Sequence, residues 1–271
     1  QVHTPLMAKE DKIRYFQEKY DRMKLDTLTT FIEHPDYVDK QPFPAKLFTE
    51  RIVQSNVTYA AMIASMDENI GKIINELKVQ GLYDNTIIFF MSDNGGLSTS
   101  EGSVTSNRPL RGGKGFMYEG GIREPLIVCG PGVKGKSQVT DITVTSTDFY
   151  PTILEMTGLP AQPAQHLDGK SFASALRGET GFERGPIFWH YPHYPNQGGR
   201  PSGAIRFGNY KLIEFYDNGE TELYDLSKDI SEKHNLALEQ PKLADRLKHQ
   251  LSQWRKEVNA SMPITNKMKN N

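Results

Sequence analysis

An apolar run that halts at paired oxygen-bearing side chains constrains this chain more than any other stretch. Ile87-Ile88-Phe89-Phe90-Met91 is short, β-branched and aromatic, and turn-formers flank it. Such a run predicts a buried strand over 86–91. It ends at Ser92-Asp93-Asn94-Gly95-Gly96, so a carboxylate and an amide sit at the strand's carboxyl end, where open α/β sheets bind ligands. The strongest helical pattern lies just upstream, over 49–80. There Val57, Ala60, Ala61, Ala64, Met66, Ile70, Ile73, Ile74 and Leu77 recur at helical intervals and Gly81 is a natural stop. Helix feeding strand predicts a βα architecture with a parallel sheet. Further strands are expected at 125–129, ending on Gly130-Pro131-Gly132, and at 139–146.

The oxygens of Asp93 and Asn94 suit a hard cation such as calcium or magnesium. Asp-Asn-Gly-Gly is also good β-turn chemistry, and these residues alone leave both readings open. Downstream, Gly112-Gly113-Lys114-Gly115 sets a lysine among glycines, where the backbone can approach an anion and the ammonium can meet a phosphate or sulfate. The plainer alternative is an exposed lysine on a flexible loop.

Taken in order, SDNGG, LRGGKG and YEGGIREP resemble the C-terminal part of the sulfatase family, relatives of alkaline phosphatase. Gln1-Val2-His3-Thr4-Pro5-Leu6 is similar to the family's H-x-P segment. Gly208-Asn209-Tyr210-Lys211-Leu212 and Glu222-Leu223-Tyr224-Asp225-Leu226 are similar to its C-terminal subdomain. The resemblance implies an α/β fold, part of an alkaline-phosphatase-like domain with a mainly parallel sheet over 1–180. A small α+β subdomain with an antiparallel sheet and a terminal helix is expected over 181–271. It implies Asp93 and Asn94 as ligands of calcium, magnesium being the less favoured ion, and Lys114 and His3 as catalytic groups at the sulfate and the bridging oxygen. His3 suits that work because imidazole titrates near neutrality. The implied substrate is a sulfate ester, with a sulfated carbohydrate the favoured class, and the implied location is periplasmic or secreted.

The family's nucleophile, a formylglycine made from Cys or Ser in C-x-P-x-R or S-x-A/P-x-R, is expected outside this sequence, so the isolated chain is expected to be inactive. Cys129-Gly130-Pro131-Gly132-Val133 lacks the arginine. Ser202-Gly203-Ala204-Ile205-Arg206 matches by letter but falls in the subdomain, and no conversion is expected there. A phosphoester or phosphonate hydrolase of the same superfamily, or a non-catalytic binding module, are the alternative readings.

Trp189-His190-Tyr191-Pro192-His193-Tyr194, followed by Asn196-Gln197-Gly198-Gly199-Arg200, suits a sugar, with rings against its apolar faces and polar tips on its hydroxyls. His190, His193 and Arg200 are the candidate substrate contacts; aromatic packing is an equal reading for the two histidines and the favoured one for Trp189. Glu119 and Arg123 are expected to support the Lys114 loop. The single cysteine, Cys129, excludes an intrachain disulfide and a cysteine-based zinc site. A net charge of −1 implies no nucleic-acid field, and no apolar run is long enough to span a bilayer.

Elsewhere the pattern predicts an amphipathic helix over 9–24, a loop over 25–48 with Pro35, Pro42 and Pro44, and a helix from Asp148 to Gly158 in which Asp148 is scaffold. A short helix over 170–177, strands at 186–190, 204–207, 210–216 and 221–225, a helix over 240–258 and a frayed tail after Met262 complete the reading.

Overall fold

The computed structural model describes residues 2–34, 48–135 and 138–264. Pro35, Pro42 and Pro44 of the expected loop, and the tail from residue 265, lie outside the described residues. In chain order the elements are α1 (Glu10–Arg22), β1 (Phe31–His34), β2 (Phe48–Arg51), α2 (Val57–Val79), β3 (Ile88–Met91), α3 (Glu119–Ile122) and β4 (Leu126–Cys129). Then follow α4 (Phe149–Met156), α5 (Ala173–Leu176), β5 (Ile187–Tyr191), β6 (Ser202–Phe207), β7 (Tyr210–Phe215), β8 (Thr221–Asp225) and α6 (Pro241–Glu257).

Two compact units divide the chain: Gln1–Lys72 with Ser92–Glu124 and Phe188–Asn271, and Ile73–Met91 with Pro125–Ile187. Compactness therefore groups the residues differently from a sequential split at 180. The reason is visible in the first unit, where Phe116 and Tyr118 of the site loop share a core with Ala204, Ile213, Phe215 and Tyr224 of the C-terminal sheet.

That sheet is a meander, β5-β6-β7-β8. Gly208-Asn209 joins β6 to β7 with Phe207 opposite Tyr210, and Gly208 takes φ +59° there. The expected Asp217-Asn218-Gly219 turn joins β7 to β8, closed by Phe215 N–H donating to Glu220 O at 2.9 Å. Successive strand residues face opposite ways. Ala204, Ile213, Phe215 and Tyr224 meet the site loop, while Ile205, Leu212 and Leu223 pack on Ala244, Leu247 and Leu251 of α6. Three aliphatic side chains of the sheet are thus buried against three of α6, which stabilises that face at roughly 25 cal/mol per Å² of apolar surface.

The expected helix over 49–80 begins later. Residues 48–51 form β2 instead, antiparallel to β1 with Phe31 opposite Arg51. The helical period starts only at Val57, and Asn56 caps it by accepting Tyr59 N–H at 2.9 Å. Gly81, φ +67°, closes α2 as expected, with Leu82 N–H on Leu77 O and Gly81 N–H on Lys78 O.

In the second unit β3 and β4 form a two-stranded antiparallel pair, Ile88 opposite Cys129 and Met91 opposite Leu126. The expected parallel sheet is not what these two strands make, because the chain re-enters beside the end it left. The strand expected at 139–146 is absent: Val139 stands exposed and the segment joins no ladder among the described residues. Asp148 is scaffold. It is fully buried, forms a capping box with Thr145, and bonds Lys170 N–H at 2.8 Å and Arg184 Nε at 2.7 Å. No helix among the described residues is long and apolar enough to cross a membrane.

Candidate active site

The end of β3 delivers Asp93 and Asn94. Asp93 is exposed and Asn94 half-buried. Ser92 Oγ donates to Asn94 O at 2.9 Å, which tightens the turn. Asn94 gives its amide N–H to Gly95 O at 3.2 Å, leaving the amide oxygen as the atom open to a cation.

Behind them lies a frame of glycine backbone. Gly95 N–H donates to Gly121 O at 3.1 Å, and Lys114 N–H to Gly96 O at 3.1 Å. Asn107 bridges the strands of this frame: its Nδ2 donates to Gly96 O and to Gly112 O, both at 2.9 Å, and its Oδ1 accepts Gly96 N–H. A β-carbon on Gly95 would run into the carbonyl of Gly120, and one on Gly113 into that of Gly96. Gly112 and Gly115, at φ +71° and +90°, turn the chain on either side of Lys114. Glycine here serves close backbone approach, and it brings the Lys114 turn against the segment that carries Asp93 and Asn94.

Lys114 then meets His3. Lys114 Nζ lies 3.5 Å from His3 Nε2. His3 Nδ1 is 2.9 Å from Thr4 O; a carbonyl only accepts, so Nδ1 is the donor there and Nε2 is the nitrogen that faces the lysine. Two residues 111 positions apart in the sequence thus form one polar pair.

Glu124 was not singled out by sequence reasoning. One of its carboxylate oxygens, Oε1, is buried without a hydrogen-bond partner among the described residues. Burial, and then the charge of Asp93, push its carboxyl up to about 7. The antiparallel register explains its place, since Met91 opposite Leu126 brings the residues after β3 and before β4 to one end. Asp93 and Asn94 offer the hard oxygens a divalent cation takes, so the donor chemistry fits. They are fewer than the six to eight calcium prefers, and the described residues hold no group of three or more acidic, His or Cys side chains arranged for a metal.

The aromatic loop divides. His190 has both ring nitrogens engaged, Nδ1 2.7 Å from Tyr216 Oη and Nε2 2.8 Å from Ser261 O. Arg200 pairs with Asp217 at 2.6 Å and Glu220 at 3.0 Å and lies over the Phe215 ring, so it fastens the β7–β8 turn. Both side chains therefore have protein partners in this structure. His193 is exposed and meets Tyr191 edge-on. The segment after it is moored beside Lys114: Gln197 Nε2 donates to Glu101 Oε1 at 2.7 Å, Thr99 Oγ1 to Gln197 O at 2.7 Å, and Gly199 lies flush against the Gly115 carbonyl. Ser202 on β6 is 2% exposed and donates to Arg200 O.

A family model described as Sulfatase matches residues 1–159. The chain belongs to the sulfatase family. A second model, N-sulphoglucosamine sulphohydrolase, C-terminal, matches residues 113–257, so the two overlap across the Lys114 loop. A sulfatase of Formosa agariphila is 38% identical over 229 residues, which are 76% of this chain and 41% of that protein. Among solved structures, Ps i-CgsB in complex with k-i-k-neocarrahexaose superposes with TM-score 0.70 at 28% identity, over 93% of this chain and 47% of that one. BT4656 in complex with its substrate D-glucosamine-2-N,6-O-disulfate gives 0.62 at 29% identity, over 76% and 41%. The chain therefore spans under half the length of each of these three relatives. Its fold class is that of the sulfatases: an alkaline-phosphatase-like α/β part and a C-terminal antiparallel sheet. Membership of the sulfatases implies a formylglycine nucleophile and a divalent metal.

Proposed function

We propose that this chain supplies one wall of the active site of a sulfatase that hydrolyses a sulfate ester of a carbohydrate. The carrying observation is the Lys114–His3 pair, held by glycine backbone against the segment of Asp93 and Asn94. A divalent cation, calcium by the hardness of its donors, would be held in part by Asp93 and Asn94 and would supply electrostatic stabilisation at a sulfate oxygen.

Lys114 presents a compact ammonium to the sulfate and to the negative charge developing on the bridging oxygen. His3 is oriented by its Nδ1–H on Thr4 O, so Nε2 is the atom that exchanges a proton with the departing alcohol. His193, exposed at the rim of the moored loop, is the substrate contact we retain for the sugar; His190 and Arg200 hold the loop's foundation. The carbohydrate assignment draws on the saccharides bound to the similar structures. A periplasmic or secreted location accompanies this reading.

The deciding experiment measures the full-length enzyme on sulfate and phosphate esters of one alcohol, before and after chelation. Metal-dependent turnover that prefers the sulfate ester supports the reading; preference for the phosphate ester would assign the site to a phosphoester hydrolase.

A further inference from the structure

Lys211 lies on β7 with 0% exposure. An ammonium group is buried only at large cost unless it is paired. Its Nζ lies 3.0 Å from Glu119 Oε1 and 2.8 Å from Glu232 Oε1, and both carboxylates are buried too. Glu232 Oε2 accepts the Glu119 backbone N–H at 2.6 Å. Arg206 and Arg123 stand 3.7 Å from the second oxygen of Glu119, farther than Lys211 is from the first. Lys211 is thus the nearest cation to Glu119 among the three.

This cluster is joined to the site by a short path. Glu119 opens α3, and the next residues, Gly120 and Gly121, form the backbone against which Gly95 is laid. Gly121 O takes Gly95 N–H, and Gly120 N–H donates to Arg111 O at 2.8 Å. Arg111 closes the other side: its Nη1 donates to Glu232 O at 2.9 Å and to Tyr224 Oη at 3.1 Å. Both ends of the turn that carries Lys114 therefore converge on Glu232. Five of the eleven residues of the turn 111–121 are glycine and carry no side chain to lock it. Apolar packing by Phe116 and Tyr118 is non-directional, whereas charged hydrogen bonds fix distance and angle. Buried ion clusters are poor sources of stability, so geometric specification is the better account of this one.

We propose that Lys211 and Glu232 are positioning residues for the reaction: clamped on Glu119, they fix the turn 111–121 against Gly95 and so set Lys114 relative to Asp93 and Asn94. This rests on the reading of Lys114 as a sulfate contact. It assigns the C-terminal sheet a part in turnover itself, beyond any choice of sugar.

The test uses the full-length enzyme and nitrophenyl sulfate. Lys211→Met and Glu232→Gln are each made in the wild-type and Lys114→Ala backgrounds. The charge-balanced Glu119→Gln/Lys211→Met/Glu232→Gln variant is carried through both backgrounds as well, because a single deletion that strands a buried charge can prevent folding. Circular dichroism and melting identify the folded variants. With Lys114 present, kcat is expected to fall ~10- to 100-fold, the loss that a misplacement of about 1 Å brings, with KM nearly unchanged. Without Lys114 the same changes are expected to cost nothing further, because residues acting through one group are non-additive. A folded variant with wild-type kcat, or an equal loss in both backgrounds, overturns the proposal while leaving Lys114 in the site. A Lys114→Ala enzyme at wild-type rate removes the underlying reading, and the proposal with it.

Discussion

Lys114 Nζ and His3 Nε2 face one another at 3.5 Å across 111 residues of sequence. Lys114→Ala in the full-length enzyme should lose ~100- to 1000-fold in turnover, the usual loss for one electrostatic contact to developing charge. Its metal affinity and circular dichroism should stay at wild-type values. Lys114→Arg should recover little, since a planar fork does not replace a compact ammonium in a turn lined by glycine. Single-turnover kinetics with a calcium titration measures both properties.

Asp93 and Asn94 should separate by charge. Asp93→Ala is expected to weaken calcium binding at least ~10- to 100-fold, the loss seen even for residues that only support a ligand. Excess calcium should restore part of the activity of Asn94→Ala and little of that of Asp93→Ala. Calorimetry on the two variants decides it; equal recovery in both would mean that the carboxylate is not a ligand.

The aromatic loop gives opposite expectations for two residues. His193→Ala should impair a natural saccharide far more than a small aryl sulfate and leave the melting temperature unchanged. Arg200→Ala should cost about 1–3 kcal/mol of stability, because it breaks charged hydrogen bonds to Asp217 and Glu220, and should affect both substrates alike. Thermal melts beside kinetics on the two substrates would expose a wrong assignment of either role.

Two glycines provide a contrast in packing. Gly71 is an exposed residue inside α2, with open space among the described residues where a β-carbon would stand, so Gly71→Ala should stabilise by about 1 kcal/mol through helix propensity. Gly95→Ala would collide with the Gly120 backbone and should destabilise by at least about 1–3 kcal/mol. Denaturant midpoints of both variants test whether the frame is as tight as its geometry says.

The strand end and the Lys114 turn were legible because they lie in local strings: a strand that ends in Asp93-Asn94, and a lysine set between glycines. The four strands of the C-terminal sheet were legible from alternation and from turns such as Asp217-Asn218-Gly219. Glu124 was not, because its place depends on the pairing of β3 with β4, a long-range register that leaves no mark near residue 124. Lys211 read only as part of a family-like string, and nothing in its neighbours announces that it is buried between two carboxylates. The strand at 48–51 was hidden by its nearness to a strong helix, and its partner β1 lies on the far side of residues 35–47. The partners of Arg200 and His190 were not legible, because sequence shows a side chain's chemistry and not what it meets.

The mooring of residues 195–199 sets the unit of exchange for anyone who would transplant specificity between relatives. A graft of Tyr191 to Tyr194 alters the edge-on contact of Tyr191 with His193 and the hydrogen bond from Tyr194 Oη to Asp217. A graft that extends to Gln197 and Gly199 also replaces the surfaces that meet Glu101, Thr99 and Gly115. Such a graft must bring its own version of residues 97–105 with it, or the recipient will gain a new rim and lose the footing beside Lys114.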